Sequence, residues 1–409
     1  MAILFKKRNS EKTTIKSENS PCRITPSEYG RLSDAERAQW VPVKTKYEKI
    51  PIFCIVSLIL AAICIIIYVI SCLSEKFADF FNLYAGSAFR FIFAKATNIL
   101  PFSFAELLIL LIPIILFLSI WYLLKYRCNS LKSSLVSIVC VLSIASLFLS
   151  SFILCFGVGY RGSSLDKKID ITPEPIGAEE LYGSAIYLIE KINQLSEDIN
   201  YREDDFSKMP YSFNEMNRKL LEAYEKYCEN NHYVYNYNTR LKPVMLSEAM
   251  SYTHITGVYT FFTGEANINV DFPDYTIPYT AAHELAHQRG ICPEDEANMV
   301  AFLVCIESDD PYIQYSAYLN VYEYVASALY KADKDLYREA RAKLLNEVRE
   351  EQVAYSNFFD KYEKSVASQV SGVVNDVYLK AQGTPGKKSY GMVVDLTVAY
   401  LKKHNLIEN

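Results

Sequence analysis

The sequence predicts a mainly α-helical membrane protein in which three transmembrane helices carry an α-rich domain with a small β-hairpin or sheet. Three observations predict it. Apolar runs with almost no charge occupy residues 51–73, 104–124 and 135–156, each near the roughly 20 residues that cross a bilayer as a helix. Beyond residue 178, apolar side chains recur at helical spacing through most of the chain. One stretch there, HITGVYTFFTGEANINVDFP, instead has the β-branched, aromatic and alternating character of short strands.

With 409 residues, 51% of them apolar, the chain is long enough for a membrane anchor and a domain with its own core. Residues 1–50 are rich in Ser, Thr, Lys and Glu, the composition of a solvated tail, and no fold is expected for them. The chain is expected to divide into a disordered cytoplasmic tail (1–50), an anchor of three spans (51–160) and a catalytic domain (161–409). The tail carries eleven Lys and Arg against six acids, and Lys125, Arg127 and Lys132 follow the second span. Positive charge marks the cytoplasmic side. Three crossings then place the chain after Tyr160 outside the cytoplasm.

The net charge of −5 and the lack of a basic stretch interleaved with aromatics exclude a nucleic-acid partner. Seven of the ten cysteines fall in the tail, the spans and their loops, leaving Cys228, Cys292 and Cys305 in the exported region. Buried thiols are expected rather than a disulfide framework.

After the third span, GYRGSSLDKKIDITPEP is short and polar and reads as a linker. Two amphipathic helices follow. Leu181, Ala185, Leu188 and Ile192 share one face of the first, and Met216, Leu220 and Tyr224 one face of the second. The strand-like stretch centred on Gly264 reads as a hairpin, with Ala266, Ile268 and Val270 alternating. Residues 264–270 could form an edge strand that aligns an extended peptide. Helices resume at Pro278 and run to the end, broken near Pro311, Asp333 and the GTPGKK turn.

The residues that carry chemistry lie in YTAAHELAHQRGICPEDEANMVAFL. His283-Glu284-Leu285-Ala286-His287 is an H-E-x-x-H motif: residues four apart share a helix face, so both imidazoles reach one zinc ion with Glu284 beside it as a general base. Gly290 stands where a left-handed cap would end this helix, and Pro293 where the next would begin. Such a turn lets the start of the following helix supply the third ligand that a catalytic zinc needs. Glu294 leads for that place, Glu296 is the alternative, and Cys292 is a soft-ligand candidate. Asn298 is positioned to orient an imidazole. For stabilising a developing oxyanion, His254, Tyr279, Tyr315 and Tyr318 are available.

Three amino-terminal spans followed in order by TGEANIN, AAHELAHQRGI and EDEAN resemble a family of bacterial membrane proteins, domain of unknown function 3810, regarded as zinc-dependent peptidases. That resemblance implies a zincin-like α+β domain. More distantly, EDEAN looks like the Glu-x-x-Ala-Asp or Glu-x-x-Ala-Asn element of gluzincins, which implies Glu294 as the ligand. Gluzincins usually place a much longer connection between the second His and that Glu than the six residues present. The spacing is closer to H-E-x-x-H-x-x-G-x-x-H metzincins, with Gly290 matching and Pro293 where their third His would stand.

The expected function is a membrane-anchored zinc metallopeptidase that hydrolyses peptide bonds in a peptide or protein substrate with metal-activated water. A catalytically silent zincin-fold sensor or scaffold is the alternative, against which the retained Glu284 argues. A transporter is disfavoured by the scarcity of charge within the spans.

Overall fold

The computed structural model describes residues 3–7, 23–24, 26–44, 50–122, 131–363 and 365–407. The tail contains β1 (Ile3–Lys7), β2 (Arg23–Ile24), α1 (Pro26–Gly30), α2 (Asp34–Arg37) and β3 (Trp40–Lys44), followed by the long apolar helix α3 (Ile52–Leu73). Next come α4 (Glu75–Phe80), a π-helical turn Phe81–Gly86, α5 (Ser87–Thr97), α6 (Phe104–Tyr122) and α7 (Leu131–Cys155). A 3-10 turn, Gly157–Arg161, leads into α8 (Leu165–Lys168), α9 (Ala178–Ser196), α10 (Phe213–Asn230), β4 (Lys242–Pro243) and α11 (Ser247–Ser251). The chain continues through β5 (Gly257–Thr260), β6 (Glu265–Ile268), α12 (Thr276–Gln288), α13 (Glu294–Ile306), α14 (Pro311–Ala332), α15 (Lys334–Ala342), α16 (Asn346–Asp360) and α17 (Val366–Ala381). A second 3-10 turn, Gly386–Met392, precedes α18 (Val393–Lys403).

Two compact units result, one of Met1–Ile66 with Leu108–Ser150 and the other of Ile67–Leu107 with Ser151–Asn409. Among the described residues, three helical stretches, Ile52–Leu73, Phe104–Trp121 and Ser134–Cys155, are long and apolar enough to cross a membrane. Most of their apolar side chains point outward, as expected where lipid replaces water. In the first unit, Ser143 Oγ donates to the carbonyl of Cys54 and ties α7 to α3. The expectation of no fold for residues 1–50 is corrected in part. Within them β1 pairs antiparallel with both β2 and β3, using Ile3, Leu4, Phe5, Trp40, Val41 and Val43, apolar positions that the polar average of the stretch conceals.

In the second unit, α12 lies between α13 and α14 and a small mixed sheet of order β4-β6-β5. Ala281, Ala282, Leu285 and Ala286 are fully buried, so small side chains let the neighbouring backbones close on α12. α9 packs along α14 through the predicted face of Leu181, Ala185, Leu188 and Ile192. The breaks fall where expected: Asp310 caps α14 just before Pro311, and Asp333 caps α15.

Three expectations change. The segment read as a linker is docked, with the Leu165 N–H donating to Glu296 Oε1 at 2.9 Å and Ser163 bonded to Asp79. Strand β6, expected at an edge, is the central strand, parallel to β4 and antiparallel to β5, so its main chain is occupied and β5 forms the edge. The third change concerns the boundary of the domain, which takes in the chain between the first two spans. Both carboxylate oxygens of buried Glu265 accept from Phe104 N (3.0 Å) and Ala105 N (2.8 Å), capping α6, while Lys242 Nζ donates to Thr97 O at 3.0 Å. Among the described residues all cysteines are free thiols.

Candidate metal centre

Four residues apart on α12, His283 and His287 present their imidazoles on the same side. Their ring centroids are 4.5 Å apart. The helix ends at Gln288, after which Gly290 N–H donates to His287 O and Ile291 N–H to Ala286 O, the paired bonds of a Schellman cap. Gly290 has φ +92°, and a Cβ there would stand 2.4 Å from the Arg90 guanidinium, so glycine is required on both grounds. Pro293 then caps α13, whose first residue is Glu294.

This turn brings Glu294 Oε2 to 3.3 Å from His283 Nε2 and 3.4 Å from His287 Nε2. All three side chains are buried, and together they could hold a metal ion. The donor set and spacing fit one. Ligand atoms about 2.0–2.1 Å from a tetrahedral ion lie about 3.3–3.4 Å from one another, which is the separation observed. The orientation of His287 suits a ligand. Ile291 O, which can only accept, lies 2.7 Å from Nδ1, so Nδ1 is the donor and Nε2 faces the cluster. His283 Nδ1 is buried without a protein partner among the described residues.

Glu284 sits one residue after the first imidazole. The Tyr259 main chain of β5 favours its ionised form, while Oε2 is buried with no protein partner among the described residues. The strand approaches so closely that a Cβ on Gly257 would come within 2.6 Å of Glu284 Cγ. Burial, opposed by the two imidazoles, pushes the Glu284 carboxyl up from the usual carboxylate range. For His287, burial disfavours the charge, but Glu294 outweighs it and raises the imidazole to about 9. Burial likewise opposes ionisation of Glu294, yet the His287 charge and hydrogen bonds from both imidazoles hold it well below its ordinary value.

The structure separates the competitors for the third position. Glu296 faces away toward the Leu165 N–H, and burial pushes it up to about 7. Cys292 Sγ donates to Phe156 O at 3.1 Å, and burial pushes its thiol up to about 12, far from the thiolate a metal needs. Asn298 Nδ2 is buried with no protein partner among the described residues, and the orientation of His287 falls to Ile291. The four oxyanion candidates are elsewhere: Tyr279 donates to Asn298 O, Tyr315 to Glu351, Tyr318 pairs with Tyr187, and His254 meets Tyr362 O. Their places in the sequence gave no hint of these partners.

Tyr160, Tyr378 and Tyr390, which sequence reasoning passed over, feel the charge of Glu294. Each is raised first by burial and further by the charge of Glu294, and Tyr390 also by Glu284. Tyr378 donates to Tyr160 at 3.5 Å, and Asn375 on α17 donates to the Tyr390 hydroxyl at 3.3 Å. With 32 tyrosines in the chain, no sequence signal marks these three.

A second network fixes the end of α12. Arg90, fully buried on α5, donates to Asn82 O at 2.7 Å, Asn82 Oδ1 at 2.8 Å and Arg289 O at 3.4 Å, while Asn82 Nδ2 donates to Gly290 O at 2.9 Å. The chain between the first two spans therefore supplies the acceptors and donors that hold the turn between the second imidazole and Glu294.

No curated protein and no solved structure matches the chain. The family model described as "Protein of unknown function (DUF3810)" matches residues 82–398, a span that contains α12, α13, Arg90 and Tyr390, and the chain belongs to that family.

Proposed function

We propose that the protein is a membrane-anchored zinc metallopeptidase with a zincin-like domain, in which His283, His287 and Glu294 hold the ion and Glu284 is the general base. The observation that carries this reading is the placement of the Glu284 carboxylate beside two imidazoles and a carboxylate at tetrahedral ligand spacing. Two histidines and one carboxylate form a donor set suited to catalytic zinc. When bound, zinc lowers the pKa of a water molecule and polarises a carbonyl.

The chain's own residues supply the rest. Glu284 Oε2, buried without a protein partner among the described residues, is the atom we assign to take a proton from water and return it to the leaving amine. Edge strand β5 offers main-chain groups beside Glu284, where an extended peptide can pair. Tyr390, under the fields of Glu294 and Glu284, is the hydroxyl we assign to the carbonyl oxygen of the substrate.

Two observations support an extracytoplasmic domain: the basic tail at residues 1–50, and the joining of the chain between the first two spans with the chain after the third, which three crossings require to share a side. A tag after Asn409 that is reached from outside intact cells agrees with this topology; a protected tag overturns it. The activity is tested by incubating the detergent-solubilised full chain with a peptide library. Cleavage that Glu284→Gln abolishes without loss of zinc is expected, and cleavage that survives Glu284→Gln rules out the assigned base.

A further inference from the structure

Helix α17 carries an apolar stripe with no protein partner to cover it among the described residues. Val366, Val370, Val373, Val374 and Val377 are each between 58% and 74% exposed. At 100° per residue these five fall on a single face, opposite Leu379, which is fully buried, and Asn375, which bonds Tyr390. Valine is a poor choice for a helix face in water, because it loses side-chain freedom there and gains no packing.

The position of the helix indicates what covers the stripe. Its carboxy-terminal end is tied to the last turn of one apolar span and, through Arg161, to the closing part of another. The Tyr378 ring lies 6.2 Å from that of Phe152, in the final turn of α7, and 6.3 Å from that of Tyr160. Arg161 bridges the same region: Nη2 donates to Gln382 O at 2.6 Å, and the guanidinium stands 5.5 Å from the ring of Tyr68, near the end of α3. Aromatic and arginine side chains gathered where spanning helices end mark the boundary between hydrocarbon and headgroups.

We propose that α17 is an interfacial membrane helix, with its valine face embedded in the acyl chains of the leaflet on the domain side. This does not depend on the peptidase reading. It gives that reading a setting, however, because the opposite face of α17 bonds Tyr390, on the Gly386–Met392 turn that packs against α13.

The test uses the full chain with its two tryptophans removed (Trp40→Phe, Trp121→Phe), reconstituted in phosphatidylcholine vesicles with or without brominated acyl chains. Single tryptophans are placed by Val370→Trp, Val374→Trp and Val377→Trp, with Arg338→Trp on exposed α15 as the aqueous reference. Monodisperse elution and an unchanged helical spectrum show that each variant is folded. Brominated lipid is expected to quench all three α17 positions severalfold more than the reference. Quenching no greater than at Arg338→Trp overturns the proposal: a blue-shifted emission then means that a second copy of the chain covers the face, and a red-shifted one that water does. Should one substitution misfold, either of the other two decides.

Discussion

The carbonyl oxygen of Ile291 lies 2.7 Å from Nδ1 of His287, and the N–H of the same residue closes the cap on the helix that carries His287. One residue thus ends the helix, turns the chain toward Glu294 and fixes the orientation of the second imidazole. The compact turn from His287 to Glu294 is therefore a structural element of the site, and it explains how so short a connection brings Glu294 to the two imidazoles.

Gly257→Ala places a methyl group 2.6 Å from Glu284 Cγ and 2.7 Å from Oε1. The carboxylate must move, whereas the three ligand side chains need not. Misplacing a catalytic group by about 1 Å costs about 100-fold in rate, so peptide turnover should fall by about that factor with zinc content unchanged. Loss of zinc in this variant would show that β5 supports the ligands rather than the base.

Tyr390→Phe removes a hydroxyl assigned to the transition state. An oxyanion donor contributes about 100- to 1000-fold in kcat, and the variant should lose activity on that scale with KM and zinc nearly unchanged. Equal activity to the wild type would exclude Tyr390 from the chemistry.

In the metal-free protein, pH should act through His287. Its imidazole is raised from 6.5 to about 9 by Glu294. A raised pKa contributes stability that is complete below the unfolded value and is lost as pH rises through the folded one. At ~1.4 kcal/mol per unit, the contribution is at most about 3–4 kcal/mol, and melting temperature should fall between pH 7.5 and 9.5. Glu296, raised to about 7, has completed most of its own change below this window. The fall should disappear in His287→Gln, and its persistence there would place the responsible group elsewhere.

Arg90→Met strips hydrogen bonds from Asn82 O, Asn82 Oδ1 and Arg289 O in a buried setting. Leaving such groups unsatisfied costs about 1–3 kcal/mol each, and a drop in Tm of roughly 5–10 °C is expected, together with weakened zinc retention. A variant as stable as the wild type would mean that the link between α5 and the end of α12 is dispensable.

What was legible in the sequence was local. Continuous apolar runs gave the spans nearly to their ends, helical spacing gave α9 and α10, and H-E-x-x-H with Gly290 and Pro293 gave the helix of the two imidazoles and its turn. Glu294 and Glu296 could not be separated from the same pattern, because both stand in the first turn of α13; only the docking of Leu165 against Glu296 distinguishes them. The central position of β6 depends on two residues, Lys242 and Pro243, far too short a strand to stand out. Arg90 looks like an ordinary loop cation until its partners 199 residues away are in place. The pairing of Tyr378 with Tyr160 is similarly distant, since the two lie 218 residues apart on either side of the domain's sequence.

The most direct test of the central claim is the zinc content of the purified full chain beside its Glu284→Gln, Glu294→Ala and Glu296→Ala variants. About one zinc per chain is expected in the wild type, in Glu284→Gln and in Glu296→Ala, and little or none in Glu294→Ala. A folded wild type without zinc after growth in zinc-replete medium, or zinc lost with Glu296→Ala but kept with Glu294→Ala, would contradict it.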